Sequence, residues 1–183
     1  MKKIEKTAYH EAGHVVATDL MGKLNKHVSI IRNETSYGRA QTSIFYENFD
    51  FYNFSIFKID DYYEFFKVVV INLGGYIAEH IATGRRNFAG SRHDSEKLLE
   101  IASTLELPDK LFQAIFDEAE LYLRDVFEYP VIWELIKTIA ETLLIKKELN
   151  QAEIAEIIKE STYYSFVHEL PYQNNRLSTI YEE

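Results

Sequence analysis

Near the start of the chain, two histidines stand four residues apart with a glutamate directly after the first: Ala8-Tyr9-His10-Glu11-Ala12-Gly13-His14-Val15-Val16. An α-helix turns about 100° per residue, so positions four apart fall within about 40° of each other, one turn apart on one face. As a helix, the stretch points both imidazoles at one ion. Ala8, Ala12, Val15, Val16 and Leu20 recur at helical spacing and Gly22 suits a C-terminal stop, which predicts a helix from Ile4 to about Met21. Glu11 lies about 100° round from His10, beside the ion rather than on it. This is the mechanical content of H-E-x-x-H: the imidazoles hold zinc, and the glutamate takes a proton from the attacking water and passes it to the leaving amine. Zinc makes the step feasible by lowering the pKa of its water to about 7. Gly13 costs such a helix about 1 kcal/mol against Ala, so close approach of another backbone or of substrate is expected there.

The chain has no cysteine. Disulfides and thiolate zinc sites are therefore excluded, and any metal is held by His, Asp or Glu. With 183 residues, 46% of them hydrophobic, the chain has length for one well-packed core. We expect a single domain over residues 1–170 and a loosely held polar tail over 171–183. The net charge of −9 argues against a nucleic-acid partner, because phosphate binding needs clustered Lys and Arg. The opening Met-Lys-Lys-Ile-Glu-Lys-Thr lacks the apolar core of a signal peptide, and the longest pure apolar run, Val68 to Ile71, is too short to span a bilayer. The expectation is a cytoplasmic protein without a membrane span.

After the first helix, His27 to Ile31 reads as a strand, Asn33 to Gly38 as a turn and Arg39 to Tyr46 as a second strand, together a hairpin. Residues 49–66 are crowded with aromatics, read as local core and the start of a helix, with a lid or partner surface as the sharper alternative. A helix is expected from about Asp60 to Thr83, ended by Gly84. Ser91 and Asp94 resemble a capping pair opening another helix, with Leu98, Leu99, Ala102 and Leu105 on its buried side. Pro108 opens a helix to about Tyr129, Pro130 one to about Lys147, and Asn150 with Glu153 caps a last one to about Tyr164. The fold class is mainly α with a small β-hairpin or sheet.

A catalytic zinc needs a third protein ligand and an open fourth position. A metzincin would carry Gly at position 17 and His at position 20, but Ala17 and Leu20 stand there. A thermolysin-like glutamate on a closely following helix is missing too. The third-ligand candidates are Glu79, His80, His93, Asp94 and His168. Such a set also accepts Fe or Ni.

Three segments in order now carry a resemblance. Ala8-Tyr9-His10-Glu11-Ala12-Gly13-His14, Leu73-Gly74-Gly75-Tyr76-Ile77-Ala78-Glu79-His80 and Ala89-Gly90-Ser91-Arg92-His93-Asp94-Ser95-Glu96-Lys97 resemble the peptidase domain of the FtsH family of ATP-dependent zinc proteases. Residues 139–154 resemble that domain's closing helices, so the likeness runs from Thr7 to about Ile158. The resemblance implies a zincin-like metallopeptidase domain in which His10, His14 and Asp94 bind Zn²⁺ and Glu11 is the general base. A His₂Asp site around Zn²⁺ has a net charge of about +1, suited to polarising a peptide carbonyl. The resemblance gives Glu79 a place as hydrogen-bond partner of a ligand histidine, the alternative being a solvated helix glutamate. It also implies an extended polypeptide substrate laid against an edge strand, for which Gly38 to Ser43 is the candidate. His80, His93 and His168 are read as bystanders.

The chain departs from the family in one large respect. The family joins this domain to a membrane-anchored ATPase, whereas here the metal motif begins at His10 and no G-x-x-x-x-G-K-[ST] occurs. The expectation is a stand-alone zinc endopeptidase acting without ATP in cis on unfolded or flexible polypeptides, alone or served by a separate ATPase or delivery partner. Oligomerisation stays open. The rival is a metal-binding regulatory or substrate-binding module that kept the fold and lost turnover.

Overall fold

The structure is a computed structural model, and it describes residues 1–32, 38–42, 54–87 and 92–169, with the backbone alone at Arg39, Gln41, Thr42 and 167–169. The described residues are mainly helical with a small antiparallel sheet. Helix α1 spans Lys3–Leu20 and ends at Met21, followed by Gly22 in the left-handed region at φ 65°. Strands β1, Asn25–Ser29, and β2, Arg39–Thr42, follow. The long helix α2, Ile59–Thr83, stops at Gly84, whose φ of 66° is left-handed and whose N–H bonds back to the His80 carbonyl. A glycine at that position satisfies a helix-end carbonyl at no steric cost.

Helix α3 covers Arg92–Thr104, α4 Asp109–Phe127 and α5 Pro130–Lys146. Pro108 caps α4 and Pro130 opens α5, where a missing N–H costs nothing. Strand β3, Glu148–Asn150, leads into α6, Gln151–Glu160, and α7 covers Thr162–Glu169. Asn150 and Glu153 form a reciprocal capping box: the Asn150 side chain accepts from the Glu153 N–H at 3.1 Å, and the Glu153 carboxylate accepts from the Asn150 N–H at 2.9 Å.

Several sequence expectations need correction. The expected hairpin is present as β1 paired antiparallel with β2, but β3 joins it on the other side, giving a three-stranded sheet of order β2-β1-β3 with β1 in the centre. Val28 faces Ala40 on one side and Leu149 on the other. The first strand starts at Asn25, not His27, and a register irregularity between Asn25 and His27 lets it do so. The last helix breaks at Ser161, whose extended backbone separates α6 from α7. On α3, Leu99 is exposed and Ile101 is buried, because the face toward the core is set by Leu98 and its i+3 and i+4 neighbours. Residues 33–37, 43–53, 88–91 and 170–183 lie outside the described residues, and with them the predicted turn before Gly38, the rest of the second strand, Ser91, the first part of the aromatic stretch (49–53) and the tail.

Helix α2 is long and apolar enough to cross a membrane by length and composition, yet two-thirds of that segment (67%) is buried inside the fold. Its burial against α1 and α4 accounts for the apolarity. Of the described aromatics, Phe65 is fully buried while Phe57 is 94% exposed.

Helices α1 and α2 meet backbone to backbone. A Cβ on Gly13 would overlap the Gly74 carbonyl oxygen and stand 2.5 Å from Ala78 Cβ. Reciprocally, a Cβ on Gly74 would stand 2.6 Å from the Gly13 carbonyl oxygen. Glycine at both positions lets the axes close to a separation no other residue permits. The propensity lost at Gly13 is offset by packing, and the two helices that carry the motif segments are locked together.

Candidate metal centre

His10 and His14 project from α1 onto α2 at the point where that close approach brings the two helices nearest. Gly75 makes the room: a Cβ there would stand 2.5 Å from His14 Nε2 and 2.6 Å from His10 Nε2. The Gly74-Gly75 pair therefore does two jobs, one for the helix crossing and one for the imidazoles. Across a gap of 84 residues, Asp94 enters from the first turn of α3, where the helix N-terminus favours a carboxylate.

His10 Nε2 lies 3.1 Å from His14 Nε2 and 3.2 Å from Asp94 Oδ2, and His14 Nε2 lies 3.5 Å from the same oxygen. These three residues form a group able to hold a metal ion. The distances bear on which ion. With bonds of 2.0–2.2 Å from zinc to nitrogen or oxygen, the edges of a regular tetrahedron measure about 3.3–3.6 Å. The observed triangle is close to one face of such a tetrahedron, so the three donors fit around an ion of that size.

The supporting bonds orient the same nitrogens. His14 Nδ1 is 2.7 Å from the Ile71 carbonyl oxygen. A carbonyl only accepts, so Nδ1 carries the hydrogen and Nε2 is left to face the cluster. His10 Nδ1 lies 3.7 Å from Glu79 Oε2. Glu79 is 5% exposed, and its other oxygen accepts from Asn87 Nδ2 at 2.7 Å. Burial alone would raise the Glu79 pKa, but His10 and Asn87 hold it below the usual carboxylate value. Glu79 thus faces a ligand-type histidine from inside the fold and is not a solvated surface acid.

Charge in the cluster is arranged for a cation. Burial pulls the His10 pKa down, but the hydrogen bond to Asp94 and the nearby Glu79 carboxylate win and push it up to about 10. Burial works against the Asp94 charge as well, yet His14 and His10 hold that carboxyl far below its usual value. Two carboxylates bracketing one buried imidazole create a field that favours positive charge at the centre.

Glu11 is 5% exposed and adjoins this cluster without being one of the three. Burial pushes its pKa up, His10 and His14 pull it down, Asp94 raises it and the Ala40 N–H lowers it, with burial prevailing. A carboxyl with a raised pKa is a better proton acceptor than an ordinary surface glutamate.

No protein-family model matches the chain, and no curated protein matches it. Geometry therefore carries the functional argument.

Among the other histidines, His93 is exposed beside Asp94 and His80 packs against the Tyr76 ring, its Nδ1 buried without a hydrogen-bond partner. Neither belongs to the three-residue group. The His168 backbone lies in α7, and its side chain is outside the described residues. Sequence reasoning missed Gly75, the Ile71 carbonyl and Asn87. A Gly-Gly pair within a strongly apolar helix was the available signal for the first, since each glycine there costs about 1 kcal/mol. A backbone carbonyl leaves no sequence signal.

Proposed function

We propose that the protein is a zinc metallopeptidase of the zincin type, similar to the FtsH peptidase domain. The observation that carries this reading is the triangle of His10 Nε2, His14 Nε2 and Asp94 Oδ2 at 3.1–3.5 Å with the buried Glu11 on the same helix. Zinc bound there would act as a Lewis acid toward a peptide carbonyl and its attacking water. His10, His14 and Asp94 hold the ion, the Ile71 carbonyl and Glu79 orient the imidazoles, and Gly75 leaves them space. Glu11 accepts the proton of the attacking water and returns it to the leaving nitrogen. A structural metal site needs four protein ligands and no base, so three donors among the described residues with an adjacent buried carboxylate favour catalysis.

Substrate on this reading is an unfolded or flexible polypeptide. It would lie extended along β2, an edge strand of the described sheet that adjoins Glu11. Folded substrates would need a separate ATPase or delivery partner.

The test is cleavage of casein by the zinc-loaded chain without ATP, beside Glu11→Gln. Wild-type cleavage with a loss of about 10²–10⁴-fold in Glu11→Gln at unchanged zinc content is expected. Equal cleavage by both would refute the assignment of Glu11. Zinc binding with no cleavage by either would shift the reading to a metal-binding module without turnover.

A further inference from the structure

The Glu11 carboxylate is held from two sides. It rides on α1, and it also lies against the backbone at Gly38, with the Ala40 backbone of β2 close enough to act on it. At Gly38, just before β2, a Cβ would overlap Glu11 Oε1, stand 2.8 Å from Glu11 Cγ and 2.6 Å from Thr7 Cγ2. The Ala40 backbone is itself fixed. Ala40 is the register partner of Val28, a fully buried residue that Leu149 of β3 flanks on its other side. The sheet thus anchors the N–H independently of the helix that carries the carboxylate.

We propose that Gly38 and the Ala40 N–H are positioning elements for Glu11: the strand fixes the carboxylate through its backbone, and the missing side chain at 38 leaves it room to face the attacking water. This rests on the peptidase reading above. A glutamate has three rotatable bonds, and a proton acceptor misplaced by about 1 Å can cost about 10²-fold in rate. The atoms a Cβ at 38 would meet are the carboxylate, its Cγ and a threonine methyl. These can shift without moving backbone, so the substitution displaces the base and spares the fold.

Two measurements test the proposal, and the first does not need turnover. In ¹H–¹⁵N spectra of the zinc-loaded chain, Glu11→Ala should move the Ala40 amide proton upfield and speed its exchange about tenfold or more, leaving the Val28 amide unchanged. An unmoved Ala40 amide would overturn the proposal. In peptide-cleavage kinetics, Gly38→Ala should lower kcat about 10–100-fold with KM within about twofold and zinc stoichiometry intact. Full kcat in Gly38→Ala overturns the proposal, and so does a loss of kcat that comes with loss of zinc or of thermal stability. An Ala40 response with no cleavage by wild type overturns the peptidase reading instead, and with it the catalytic use of this contact.

Discussion

Gly75 and His14 occupy one volume: a β-carbon on the glycine would stand 2.5 Å from the ring nitrogen that faces Asp94. The backbone of α2 is thus the floor of the candidate metal centre. Gly75→Ala is expected to displace both imidazoles and lower zinc affinity by at least the roughly 10–100-fold typical of a lost supporting contact. Helical content should be unchanged, since Ala is the better helix former. Competition with a chromophoric chelator measures the affinity, and wild-type affinity in the variant would show that the imidazoles do not depend on Gly75.

Glu79 bears on the other ligand histidine. Glu79→Gln removes the charge facing His10 Nδ1 while keeping the shape and the Asn87 contact. Zinc affinity should fall about 10–100-fold, and the chain should remain folded. Identical zinc titrations for variant and wild type would reduce Glu79 to a structural acid.

Asp94 supplies the one donor not on α1. Asp94→Ala should abolish high-affinity zinc binding and leave the helices intact. Zinc at 100 times its dissociation constant stabilises a folded protein by about 2.7 kcal/mol, which for a chain of this size is about 5–10 °C in Tm. Wild type should show that shift and Asp94→Ala should not. Full zinc occupancy in the variant would sink the ligand assignment.

Gly13 tests the helix crossing separately from the chemistry. Gly13→Ala gains about 1 kcal/mol of helix propensity but drives a Cβ into the Gly74 carbonyl. Overpacking costs about 1–3 kcal/mol, and a backbone-on-backbone clash belongs at or above the upper end. A net loss of about 2 kcal/mol is expected, seen as a fall of about 4–8 °C in Tm. A variant more stable than wild type would mean the helices can part freely at this point.

Much of the helical framework was legible because its signals are local. The Asn150–Glu153 box, Pro108, Pro130 and Gly84 each act within one turn of a helix end, and each stands where its chemistry predicts. Strand β3 was not legible. Its three residues are too few to show a period, and its hydrogen-bond partner β1 is more than a hundred residues away. The break at Ser161 was missed because Tyr163, expected near the end of a continuous helix, is instead buried on α7 with its hydroxyl donating to Asp19 of α1 at 2.8 Å. A tertiary bond decided that local boundary.

The sequence by itself determined the chemistry on offer. Helical geometry puts His10 and His14 on one face with Glu11 beside them, and the absence of cysteine restricts any partner to nitrogen or oxygen donors. Composition and spacing left Glu79, His80, His93, Asp94 and His168 open as the distant partner and only the family resemblance pointed to Asp94, because none of them carries a local sign of where the chain will bring it; the tertiary structure brings Asp94 to the histidines. Packing selected Asp94 as the third donor of the group and set Glu79 behind His10. The contact that made this arrangement possible is the close crossing of α1 and α2 at Gly13 and Gly74. Two backbones can approach that closely only where both lack a side chain, a condition set jointly by residues 61 positions apart (74 − 13).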